Sequence, residues 1–283
     1  MLIPHRRKIA SYLHFLSAEA KFLTLNNASI LVLSSLNRNF TLILYFVYII
    51  RSKMACILHI ETATDVCSVA LSEDGAVLFS KEDHEGPQHA VTLGVFVDEV
   101  LSMADSHAKP IDAVAVSCGP GSYTGLRIGV SMAKGICYGR NIPLIALPTL
   151  KVLSVPVLLM DELPEDALLC PMIDARRMEV YAAIYDRALN EVKSVGADIV
   201  DADSYKEYLD KQPVYFFGNG AAKCMKVINH PNAHFVEGIE PLARWMFPLA
   251  DREYLNGTFQ DVAYFEPFYL KEFVATVAKN KVL

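Results

Sequence analysis

Four glycines fall within thirteen residues of Ser117-Cys-Gly-Pro-Gly-Ser-Tyr-Thr-Gly-Leu-Arg-Ile-Gly129, at positions 119, 121, 125 and 129. An apolar stretch, Ile111-Asp-Ala-Val-Ala-Val-Ser117, runs into them and an amphipathic stretch follows, so they lie on a strand-to-helix turn. Backbone N–H groups at such a helix N-terminus can hold an anion, and Gly119, Gly121 and Ser122 are the candidates for that contact. A P-loop is excluded, because no lysine follows at the required offset. A dinucleotide fingerprint is excluded too, because Thr124 stands where the third glycine belongs. Packing is the alternative: Gly125 and Gly129, four apart on a helix, would let another helix approach closely.

Glu61, Thr62 and Thr64 form a second candidate group, in the turn Glu61-Thr-Ala-Thr-Asp65. They could face a nucleotide phosphate, or the threonines could simply bond the local backbone. His84 and His89 are five apart, whereas two ligands on one helix face need three or four. No GxSxG nucleophile motif occurs, and no histidine pairs with a cysteine by any recognisable pattern. Asp174, Arg176 and Arg177 make a charged turn that serves either as an exposed ion pair, worth under about 1 kcal/mol, or as a reach toward a ligand or partner.

The elements that must position these groups read as two similar halves. Cys56–Ile60, Cys67–Leu71 and Ala76–Lys81 alternate with tight turns as an antiparallel meander, with Glu73-Asp74-Gly75 as a hairpin turn. A helix over about 87–104 carries Leu93, Phe96, Val100 and Met103 as one apolar stripe. A second helix, about 124–139, carries Leu126, Val130, Ala133 and Cys137. Leu144–Ala146 is a further strand, and Pro148-Thr149 opens another helix. The second half restarts with strands at Leu168–Ile173, Glu179–Tyr185 and Val214–Phe217, the last ending in Gly218-Asn-Gly220. Both halves begin as strand, acidic residue, short turn, strand. The expected fold is a duplicated α/β fold with mixed sheets, one lobe over 54–155 and the other over 156–283.

The 283 residues are 53% apolar and 20% charged, which excludes a disordered chain. Six scattered cysteines exclude a CxxC centre and fit reduced core thiols. Residues 1–53 hold seven basic residues and one acid, leaving 19 of the 26 basic and 31 of the 32 acidic residues to the body, a net of −12. Nucleic-acid affinity comes largely from lysine and arginine on phosphates, so any RNA contact is expected to run through a basic partner. The ten-residue apolar run Thr41–Ile50 is half the about 20 residues that a membrane helix needs, and Arg38 bars its extension. Arg51-Ser-Lys53 follows it in place of a small-residue cleavage site. Met54 is therefore read as the start, with 1–53 as upstream translated sequence rather than a membrane anchor.

The motifs Ile60-Glu-Thr-Ala-Thr64, Gly119 to Gly129, Ile173-Asp-Ala-Arg-Arg-Met-Glu-Val-Tyr181 and Gly218-Asn-Gly220 occur in that order. Together they resemble the bacterial TsaB (YeaZ) family over 54–283. The resemblance implies a duplicated actin/Hsp70/sugar-kinase (ASKHA) type fold and a cytoplasmic role in making threonylcarbamoyladenosine in tRNA. It implies a non-catalytic subunit that supports a TsaD-like paralogue by heterodimerisation, joined by a TsaE-like ATPase. It also implies a homodimer when the partner is absent, indirect contact with tRNA and no cofactor beyond weak nucleotide binding. The paralogue's metal-binding HxxxH has Thr149 and Leu153 at about its positions here, so no metal chemistry is expected. Glu61 stands where the family more often has Asp. The expected partner face is made of Val95, Val97, Leu101, Tyr123, Ile128, Gly129, Met132, Ala133 and Ile136. The alternatives are an ATPase or kinase of the same fold and, behind it, a glycoprotease-like peptidase.

Overall fold

The computed structural model describes residues 55–86, 88–160 and 163–271. They belong to one unit, Met54–Leu283. The expectation for residues 1–53 lies outside the described residues. Among those described, no helix is long and apolar enough to cross a membrane.

Two five-stranded sheets carry the chain. In the first, β1 (Ile57–Glu61), β2 (Cys67–Glu73) and β3 (Ala76–Asp83) form the antiparallel meander. Asp74 and Gly75, both at positive φ, close its hairpin as a left-handed two-residue turn demands. β4 (Ala113–Gly119) then pairs parallel with β1, and β5 (Leu144–Pro148) parallel with β4, giving the order β3-β2-β1-β4-β5. Helices α1 (His89–Ser106) and α2 (Tyr123–Arg140) make the crossovers that parallel pairing requires, and α3 (Thr149–Leu158) follows β5.

The second sheet repeats this plan. β6 (Leu168–Asp174), β7 (Glu179–Tyr185) and β8 (Glu191–Ile199) are antiparallel, and β9 (Val214–Phe217) and β10 (Ala233–Val236) add in parallel on the other side of β6. Its order is therefore β8-β7-β6-β9-β10, strand for strand the first sheet again. The crossover helices have shrunk to single turns, α4 (Lys206–Leu209) and α5 (Ala221–Cys224). A 3₁₀ turn (Ala243–Trp245) and α6 (Phe247–Asn256) stand where α3 stands in the first half. The fold is the duplicated mixed α/β fold that the sequence implied.

Three apolar clusters hold these layers. One lies under α1 and α2 and contains Leu58, Ile60, Leu93, Val97, Val130 and Ala133. The central one joins both sheets through α3 and α6, with Ile57, Ala115, Leu153, Leu169, Phe217 and Leu249. The third backs the second sheet on the far side. Each fully buried Leu, Ile or Phe contributes roughly 1.5–3 kcal/mol.

Pro156 sits inside α3, which packs on β6 as well as on β4 and β5. The C-terminal stretch returns to the first sheet: α6 packs on β1 and β5, and Gln260 N donates to Leu144 O at 2.9 Å. On α1 the core face is Leu93, Val97, Val100 and Ala104, while Phe96 is half-buried and Met103 exposed. Leu93 and Val100 belong to both stripes, and the sheet lies on the side of Val97 and Ala104.

Candidate functional site

The two candidate groups of the first lobe meet each other. Glu61 ends β1 and Gly119 ends the neighbouring β4, so the turn after β1 and the glycine loop share one end of the sheet. Thr62 Oγ1 donates to Gly125 O at 2.8 Å, and Ser122 N donates to Ala63 O at 2.7 Å. A Cβ at Gly125 would collide with Thr62 O, and one at Gly129 with Thr62 Oγ1. The glycine pair thus admits the β1–β2 turn, and not another helix.

Several of the loop's donors are used inside the fold. Gly119 N donates to Thr149 Oγ1 at 3.1 Å, Gly125 N to the helix-capping Ser122 Oγ at 3.3 Å, and Leu126 N to Ser122 O at 2.9 Å. A Cβ at Gly121 would strike Ala63. Thr149, expected to open its own helix, therefore spends its hydroxyl on the loop. Thr64 is buried, with its carbonyl accepting from His89 Nε2 at 2.7 Å.

Glu61 is fully buried beneath these contacts. Its Oε1 accepts from Ala63 N at 2.6 Å and Ser117 Oγ at 3.0 Å, while Oε2 has no partner among the described residues. Burial disfavours the charged form and pushes the carboxyl up from 4.5 to about 7, against the pull of those hydrogen bonds. His59, two residues back, bonds Ser72 Oγ at 2.6 Å and is pushed down to about 3 by burial. Among the described residues no three His, Cys, Asp or Glu gather as a metal-ligand set. Thr149 and Leu153 are both buried.

A strap that the sequence reading missed lies over the glycine loop. Phe268 N donates to Cys118 O at 2.7 Å, and Phe268 O lies where a side chain on Gly119 (φ 113°) would point. Tyr269 packs on Tyr123 with ring centroids 4.7 Å apart, and Lys134 holds the carbonyls of Ala263 and Phe265 at 3.2 and 2.9 Å. The aromatic density of Tyr264-Phe-Glu-Pro-Phe-Tyr269 is the signal that could have found it.

The expected partner face divides by exposure. Val97, Gly129 and Ala133 are buried within their own lobe and leave that face. Leu101, Ile128, Met132 and Ile136 are half-buried, Val95 is 54% exposed and Val91, beside it on α1, 73%. Ile128, Met132 and Ile136 line an open groove of about 690 Å³ with Ala90, Arg127, Ser131 and Gly135. Tyr123 sits at the head of α2, and its hydroxyl accepts from Arg127 at 3.0 Å.

Two repeated mixed sheets joined through a central helical layer, with an apolar helical face on one lobe, define a protein of the duplicated α/β class. A family model described as tRNA N6-adenosine threonylcarbamoyltransferase, TsaD, matches residues 84–277. The tRNA threonylcarbamoyladenosine biosynthesis protein TsaB of Escherichia coli is 29% identical over 229 residues, 77% of this chain and 96% of that protein. TsaB of Bacillus subtilis is 30% identical over 166 residues, 58% of this chain and 70% of that protein. The solved YeaZ structure from Pseudomonas aeruginosa superposes with a TM-score of 0.65 over 77% of this chain and 100% of its own, at 24% identity. The chain belongs to the TsaB/YeaZ family.

Proposed function

We propose that this chain is a non-catalytic subunit of tRNA threonylcarbamoyladenosine synthesis that supports a TsaD-like transferase by pairing with it through α1 and α2. The observation that carries the reading is the groove on α2. Ile128, Met132 and Ile136 lie one turn apart along the helix, are only half-buried by their own lobe, and adjoin a wall that bears one charge, Arg127. Apolar side chains in such a row are stabilised when a second helical surface covers them, and a stable interface buries about 1,200 Å² or more. A second copy of the chain fits the same face when the partner is absent, and a TsaE-like ATPase joins the assembly.

The internal bonds of the glycine loop support a structural role for Glu61, Thr62, Thr64, Gly119, Gly121 and Ser122. A kinase or ATPase would need that end of the sheet open to phosphates, and the strap at Phe268 lies across it. The acidic balance of the body supports leaving broad RNA binding to the partner.

The test is co-elution of the full chain with a TsaD-like protein on size exclusion. Met132→Glu with Ile136→Glu is expected to abolish co-elution while circular dichroism stays unchanged. Undiminished association of the folded variant would reject the surface.

A further inference from the structure

The β6–β7 turn carries two arginines in a backbone conformation that arginine rarely takes. Arg176 and Arg177 are consecutive, with φ of 71° and 51°. Asparagine, aspartate and glycine fill such positions with little steric cost, because the left-handed region crowds a larger side chain's Cβ. The turn is nonetheless firmly tied. Asp174 Oδ1 accepts from Arg176 N at 2.7 Å, Ala175 N donates to Glu179 O at 3.0 Å, and Glu179 N donates to Arg176 O at 3.1 Å.

Packing does not account for the arginines, since both are exposed. Ion pairing does not account for them either. Asp174 accepts from Lys223 at 2.5 Å, and Glu179 pairs with Lys271. Both nearby carboxylates are thus engaged, and among the described residues no acid pairs with Arg176 or Arg177. The matching turn of the first sheet, after β1, is buried under the glycine loop. The duplicated fold has turned one copy of this corner inward and presents two uncompensated guanidinium groups at the other, in a chain of net charge −6.

We propose that the Arg176–Arg177 turn is a phosphate-binding site that contacts an RNA backbone at a single point. The choice of RNA rests on the tRNA role proposed above; the choice of phosphate rests on the guanidinium pair. Each planar fork suits the oxygens of one phosphate, and the turn carries two such side chains on consecutive exposed residues. An acidic body cannot spread RNA across its surface, so a local contact is what its charge allows.

The test is fluorescence anisotropy of the full chain with labelled tRNA over a salt series. Two phosphates predict a log–log salt slope of about −1.4 to −1.8. Arg176→Asn with Arg177→Gly suits the left-handed positions and should melt no lower than the parent. It is expected to lose about tenfold or more in RNA affinity and most of the salt slope. Arg176→Lys with Arg177→Lys should keep most of the slope, since the charges remain. Equal RNA affinity in the Asn/Gly variant overturns the proposal, as does parent protein with no salt-dependent RNA binding. Loss of affinity for the TsaD-like protein with RNA binding intact overturns it as well, assigning the turn to an acidic protein surface. Failure of the α2 variant to disturb co-elution counts against the proposed subunit role and is read separately.

Discussion

Thr62 donates its hydroxyl hydrogen to the carbonyl of Gly125 across 63 residues of sequence, at 2.8 Å and fully inside the protein. The bond ties the turn after β1 to the first turn of α2. It is possible only because residue 125 has no side chain: a Cβ there would meet Thr62 O, and one at 129 would meet the donating hydroxyl itself.

Gly125→Ala is therefore expected to destabilise by about 1–3 kcal/mol, the usual cost of overpacking a filled site. Gly129→Ala should destabilise as well, because clearing its Cβ means turning Thr62 Oγ1 off Gly125 O and giving up that buried bond. Urea unfolding of the two variants is the check, and equal midpoints for parent and Gly125→Ala would sink the packing account.

Gly139→Ala tests the opposite case. Gly139 lies within α2, and nothing stands within 4 Å of an added Cβ. Helix propensity alone should then raise stability by about 0.5–1 kcal/mol. A lower melting temperature for the variant would show that the residue has a constraint other than helix propensity.

Glu61 makes stability fall as pH rises. Its folded carboxyl holds a proton up to about pH 7, whereas the unfolded chain releases it near 4.5. Its contribution is full below 4.5 and is lost as pH climbs through about 7. Glu61→Gln should flatten this part of the profile and leave the variant about 1–2 kcal/mol more stable than the parent at pH 8. A residual slope remains from Asp251, which burial and neighbouring Asp74 raise to about 6. Parallel stability profiles for parent and variant from pH 4.5 to 8 would refute the assignment.

Local pattern made several elements legible. The stripe Leu126, Val130, Ala133 and Cys137 is the buried face of α2, and Val214–Phe217 is β9 residue for residue. The rotation of α1 was not legible, because Phe96 and Val97 both extend a stripe through Leu93 and Val100. Only the position of the sheet selects Val97. β8, β10 and α6 escaped for a related reason: β8 buries none of its residues fully and so shows no regular apolar alternation, and α6 is defined by the central cluster it joins.

Periodicity, turn chemistry and the order of four motifs determined the repeated fold and the family, because these are properties of neighbours along the chain. Which partner each special residue received was decided by the tertiary structure. Gly125 and Gly129 meet Thr62, Thr149 serves the glycine loop, the tail crosses back to Cys118, and Asp174 is taken by Lys223 rather than by an arginine. Such pairings depend on distances between strand ends that lie 30 to 150 residues apart in the chain, and local propensity carries no information about them.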